Sequence, residues 1–128
     1  MEARERSVQY YQLRSGACPF REWRDAIADR DLKAIIDARI ARLRAGNFGD
    51  SKSVGEGVSE ARIDVGPGYR VYYGVDGDIV ILLGAGDKST QDWDIQVAQG
   101  SWKDYKERTK QHAKKPRLQG GSSSRPKK

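Results

Sequence analysis

At 128 residues, 37% apolar and with a mean hydropathy of −0.81, the chain is sized for one domain and holds no apolar run near the ~20 residues a membrane helix needs. Its single cysteine, Cys18, excludes an internal disulfide, and MEARERSVQYY lacks the apolar core of a signal peptide, so a cytoplasmic protein without membrane attachment is expected. The formal charge of +6 does not imply nucleic-acid binding by the folded part: seven of the 24 basic residues fall in 110–128 without one acid, which leaves 17 against 18 acidic residues in 1–109.

Taken in order, SVQYYQL at 7–13 is β-prone and predicts an edge strand. Pro19 suits the first turn of a helix carrying Phe20, Trp23 and Ile27 at i, i+3, i+7. Asp31 is the expected N-cap of a second helix with Leu32, Ile35, Ile36, Ile40 and Leu43 on one stripe, closed by Arg42, Arg44 and Gly46-Asn47. The two helices form a hairpin whose stripes cover the apolar face of a sheet. GNFGDSKSVGEGVSE then reads as an ordered loop.

VSEARIDV-GPG-YRVYYGV-DGD-IVILLGAGDKSTQ, at 58–91, is a β-meander: three β-rich runs and two turn signals. Three-residue loops set a register in which Val65 faces Tyr69, Ile63 faces Val71 and Ala61 faces Tyr73. That face is apolar, whereas Glu60, Arg62 and Asp64 lie on the other with Arg70, Tyr72 and Gly74. Ile79–Leu83 is continuously apolar, as a strand covered on both faces is. This register places Arg70 beside Gly84 and gathers Asp64, Arg70 and Lys88 at one edge. A last helix, with Ser89 or Thr90 as cap, carries Trp93, Val97 and Trp102 and is interrupted at Gly100. The expected organisation is a folded domain over 1–109 and a disordered basic tail over 110–128, which serves either as an electrostatic arm or as a solvated terminus. The fold class is α+β, β-α-α-β-β-β plus a C-terminal helix, with the helical hairpin on one face of a small, mostly antiparallel sheet.

GNFGDSKSVGEGVSEARIDVGPGYRVYY, followed by GAGDKSTQ and DI, resembles the RelE/ParE superfamily of toxins from type II toxin–antitoxin systems, closest to the addiction-module killer proteins. The resemblance spans about residues 7–105. It implies the RelE-like fold, endonucleolytic cleavage of mRNA, commonly on the ribosome, and neutralisation by a cognate antitoxin, here expected to be of helix-turn-helix type. A minority of such toxins poison DNA gyrase instead, and a non-catalytic binding module on the same fold is a third reading. Carried over by position, the Arg of the family's Gly-Tyr-Arg hairpin is Arg70, the basic strand positions fall near Glu60 and Arg62, and the basic residue after the last strand is Lys88. The terminal Tyr or His of some members has no counterpart; Trp93 and Asp94 stand there.

Cleaving RNA without a metal requires deprotonating a 2′-OH, stabilising charge on the phosphate and protonating the leaving 5′-oxygen. Arg70 suits the phosphate through its bidentate fork, with Lys88 adding charge, and Glu60 or Asp87 is the candidate acid or base. Arg62, Tyr72 and Lys88 are the candidate RNA-binding residues, Tyr72 by stacking on a base. The competing structural readings are an Asp64–Arg70 cross-strand ion pair and burial of Tyr72 in the core. No cofactor and no metal is expected: there is no Cys/His cluster, no P-loop and no dinucleotide fingerprint. Cys18 has no histidine beside it to make it a nucleophile, and the sole histidine, His112, lies in the tail.

Overall fold

The structure, a computed structural model, describes residues 5–114. Five strands, β1 (Ser7–Tyr10), β2 (Ser51–Ser53), β3 (Ser59–Ile63), β4 (Tyr69–Asp76) and β5 (Ile79–Asp87), form one sheet in the order β1-β5-β4-β3-β2. β1 runs parallel to β5, and every other pairing is antiparallel. Helices α1 (Pro19–Asp25) and α2 (Arg30–Arg44) precede β2, and α3 (Gln91–Lys114) follows a 3-10 turn at Lys88–Thr90. The chain is therefore α+β, with a mostly antiparallel sheet, as its pattern predicts. Among the described residues, no helix is long and apolar enough to cross a membrane.

The sheet has a core on each side because its strands alternate. Ala61, Ile63, Val71, Tyr73, Val80 and Leu82 face Phe20, Ile36, Ile40 and Leu43 of the helical hairpin. Val58, Tyr72, Ile81 and Leu83 face Ala98 and Trp102 of α3. β5 contributes to both layers, which is why its sequence reads as an unbroken apolar run.

Several local expectations shift. The β3–β4 loop has five residues rather than three, so Ile63 pairs with Tyr69 and Ala61 with Val71. The slip is by two, and every side chain keeps its predicted face. The next turn is Gly77-Asp78, with Gly77 at φ +58°, and a bulge adds one residue to β5 between the partners of Tyr72 and Tyr73. Together they put Gly86, not Gly84, opposite Arg70. Part of the expected 46–60 loop is strand β2, and α1 stops at Asp25, short of Ile27. Asp29, not Asp31, caps α2: its carboxylate accepts from the backbone N–H of Asp31 and Leu32 at 2.9 and 3.2 Å.

α3 runs through Gly100 without a break. The stripe it buries is Ile95, Ala98, Trp102 and Tyr105, so Trp93 (68% exposed) and Val97 lie off it on the solvent side. The helix also continues to Lys114, five residues past the expected end of the domain at Thr109. The rest of the expected tail, 115–128, lies outside the described residues.

Two arginines hold the hairpin. Arg39, 7% exposed, donates to the carbonyls of Arg62 (2.5 Å), Asp50 (2.7 Å) and Phe48 (3.3 Å), stapling α2 to the β2–β3 edge. Arg24 grips Asp37 of α2 with two bonds of 2.9 and 2.6 Å. The Arg24 hydrogen bonds hold the Asp37 carboxyl below its ordinary range. A depressed carboxyl contributes stability above its unfolded value near ~3.9, and that contribution disappears as pH falls through the folded value. Asp37→Asn should therefore lower the melting temperature modestly at pH 7, should lower it less in 1 M salt, and should match the wild type in acid below both values.

Candidate functional site

The α3-facing side of β3 and β4 carries four polar side chains in two cross-strand rows, Glu60 opposite Tyr72 and Arg62 opposite Arg70. Gly84 and Gly86 continue the rows on β5. Two cationic side chains directly across an antiparallel pair repel unless something balances them. Here each has a carboxylate: Arg62 Nη2 lies 3.5 Å from Asp50 Oδ1, and Arg70 Nε lies 3.8 Å from Glu60 Oε2.

The two pairs differ in kind. Arg62 and Asp50 are about half exposed, whereas the Arg70 side chain is 11% exposed and that of Glu60 is fully buried. Glu60 Oε2 also accepts from Gln91 Nε2 at 2.8 Å, so the first residue of α3 is tied to the same carboxylate. Gly86 permits that docking: a Cβ there would collide with the Asp94 carboxylate, which instead accepts from Thr90 Oγ1 at 2.6 Å. Arg70 thus reaches past a glycine, is backed by a buried charge and donates through Nη1 to Gly68 O at 3.3 Å.

Arg62, Arg70 and Lys88 line one cleft of 270 Å³ together with Asp50 and Asp64 at the turn after β3. The backbone N–H of Lys88 bonds to Gly68 O at 3.0 Å, which brings the end of β5 against the β3–β4 turn. Lys88 itself is exposed. Three cations face two surface carboxylates, so the cleft is a localised grip for an anion and not a broad basic patch. Arg70 is the best placed to hold one, because its fork is fixed before a ligand arrives.

The expected convergence of Asp64, Arg70 and Lys88 is present, but the Asp64–Arg70 ion pair of the competing reading is not. Asp64 lies in the loop beyond β3, and Glu60, two positions from the Arg70 cross-strand partner, takes its place. Tyr72 has no exposed surface with which to stack on a base. Its burial first, then the negative fields of Glu60 and Asp94, push its phenol well above the ordinary range, so it stays neutral. Glu60 is likewise sealed from the cleft, and serves to position Arg70. Asp87 caps the 3-10 turn, accepting from Ser89 N at 2.8 Å and Ser89 Oγ at 2.5 Å, and those bonds hold its carboxyl low. Gln91, Asp50 and Arg39 have no distinguishing spacing in the sequence; only the fold brings them here. Among the described residues, no group of three His, Cys, Asp or Glu side chains is placed to hold a metal ion.

The chain is 55% identical over 80 residues to a protein of Haemophilus influenzae (strain Rd) that carries the description "Uncharacterized protein"; the match covers 62% of this chain and 81% of that relative. No protein-family model matches the chain. No solved structure matches it.

Proposed function

We propose that this chain, which belongs to one family with that Haemophilus influenzae protein, is a RelE/ParE-type toxin of a type II toxin–antitoxin pair and cleaves mRNA without a metal. The observation that carries the reading is the convergence of Arg62, Arg70 and Lys88 on one cleft, with Arg70 held from behind by buried Glu60. The GPGYRVYY and GDKSTQ segments that resemble those toxins supply Arg70 and Lys88, and the element order matches the β-α-α-β-β-β that the resemblance implies except for the added edge strand β2.

In this reading Arg70 grips two nonbridging oxygens of the scissile phosphate and stabilises their charge as the 2′-oxygen attacks. Lys88 and Arg62 hold the flanking backbone. Glu60 fixes Arg70 and does not itself move a proton, because it does not reach the cleft. Asp64, the exposed carboxylate on the cleft wall, accepts the 2′ proton, and the departing 5′-oxygen takes a proton from solvent water, leaving a cyclic phosphate end. The partners are mRNA, with the ribosome as the place of cutting, and a helix-turn-helix antitoxin whose acidic segment closes the cleft.

Brief induction followed by primer extension on cellular mRNA should give discrete new 5′ ends within minutes. Intact mRNA with arrested supercoiling would assign the chain to gyrase inhibition instead. The burial of Glu60 and Tyr72 and the capping role of Asp87 are what speak for that second reading, since they leave the cleft poorer in proton donors than in phosphate grips.

A further inference from the structure

A second depression borders the cleft and differs from it in character. It has a volume of 410 Å³, within the ~300–1,000 Å³ range of small-ligand sites. Ile35 and Ala38 of α2, Ile63 of β3 and Val65 of the loop after it give it an apolar lining, which Arg42 shares. Both Ile35, at 40% exposure, and Ala38 are open to solvent. Asp50, Arg62, Ile63 and Asp64 line this groove and the cationic cleft alike, so a single strand end separates the two.

The groove contains one polar group whose bonding is unfinished. Arg39 lines it, is 93% buried and gives its two terminal nitrogens to backbone carbonyls, yet its Nε has no hydrogen-bond partner. A buried N–H without an acceptor is costly, and a ligand acceptor placed there removes the cost. Across the groove, Asp64 offers an exposed acceptor. An apolar slot rimmed by charged groups, with one unpaired donor in its lining and one exposed acceptor across it, opening beside a phosphate grip, has the chemistry of a nucleobase site.

We propose that the groove is a nucleobase subsite. It receives one unstacked base of a single-stranded RNA while the adjoining phosphate lies between Arg70 and Lys88. The ring face lies on Ile35, Ala38 and Ile63, a ring acceptor takes the Arg39 Nε–H, a ring N–H donates to one carboxylate oxygen of Asp64 while the other serves the 2′ proton, and Arg42 with Arg62 faces the sugar-phosphate outside. Base preference at the cut then arises from the α2 side of the molecule, away from the groups that hold the phosphate. This rests on the RNA reading above.

The test uses the full chain and fluorescein-labelled 2′-O-methyl RNA pentamers, which cannot be cut because the attacking hydroxyl is blocked. Each is measured by anisotropy with a base or with an abasic sugar at the central position. In the wild type, removing the base should weaken binding about tenfold, the order expected for one seated base. Ala38→Gln fills the groove from an exposed position without changing charge, and Ile35→Ala removes part of its lining. In both variants the base and abasic pentamers should bind alike, at the wild-type abasic affinity and with an unchanged melting temperature. If the wild type binds both pentamers equally, or if both variants keep the tenfold difference, the groove is not a base site although the RNA reading stands. If the variants keep that difference and instead lose neutralisation by the antitoxin, the groove belongs to a protein partner and the subsite is overturned. If neither pentamer binds the wild type, the RNA reading and the subsite fall together.

Discussion

For the RNA cleavage proposed above, Arg70→Ala should cost two to three decades of rate and, at the same time, a substantial part of the stability of the protein. The first loss is that of one preorganised donor to a charged transition state, worth ~3–4 kcal/mol. The second follows from where its partner sits. An exposed cross-strand pair with Asp64 would cost less than ~1 kcal/mol to break, but Glu60 is fully buried, and removing Arg70 leaves its charge without a counterion. Breaking such a pair from one side costs ~3–5 kcal/mol. A single alanine therefore confounds folding with catalysis. The double variant Arg70→Ala/Glu60→Gln separates them, because a neutral amide at 60 still meets Gln91 and strands no charge. It should recover most of the melting temperature and remain inactive in a growth assay. Activity returning together with stability in the double variant would make Arg70 a purely structural residue.

Trp102→Ala should be the most damaging single truncation on α3, at ~3–5 kcal/mol in urea denaturation. The ring is 5% exposed and stacks on Tyr105 with centroids 5.2 Å apart and planes 9° apart. It also covers two glycines: a Cβ on Gly74 or on Gly57 would lie 2.5 Å from its atoms. Neither glycine has a side chain that could relax into the space it leaves. Gly74→Ala should fail from the opposite direction, by overpacking, at ~1–3 kcal/mol. Trp93→Ala, at 68% exposure, should shift stability by no more than ~0.5 kcal/mol. Equal effects of the two tryptophan truncations would contradict the docking of α3 described above.

The contrast between Trp93 and Trp102 also marks how far the sequence could be read. Period-two alternation in ARI and YRVYY assigned each residue to the correct face of the sheet, because a face assignment survives any even slip of register. The partners did not follow, since turn length and the bulge in β5 are decided by tertiary packing, which leaves no period in the sequence. The helical hairpin was legible from Leu32, Ile36, Ile40 and Leu43. α3 was less so: its buried stripe pairs Ile95 and Ala98 with large rings, and two of the residues expected along it, Trp93 and Val97, point elsewhere. At the site, strand register and a turn were enough to gather Asp64, Arg70 and Lys88, whereas Arg62 came in by the resemblance. Glu60 was read as a reactive group although it is a buried counterion, for burial on the second face depends on α3, and nothing in SEARI shows that a distant helix will cover it.

The parallel contact of β1 with β5 bears on the order in which the molecule takes shape. Between these neighbours in space, the chain inserts both hairpin helices and three strands. The meander β3–β4–β5 closes short loops and is entropically cheap to nucleate, whereas β1 must wait for a long closure. On a ribosome, β1 emerges first and stays without its sheet partner until β5 is made. Gln91 and Asp94 emerge later still, and only their arrival seals Glu60 behind Arg70. A nascent chain consequently carries the anion grip of its cleft in an unsupported form until α3 has been made, and that helix is the one that sets it.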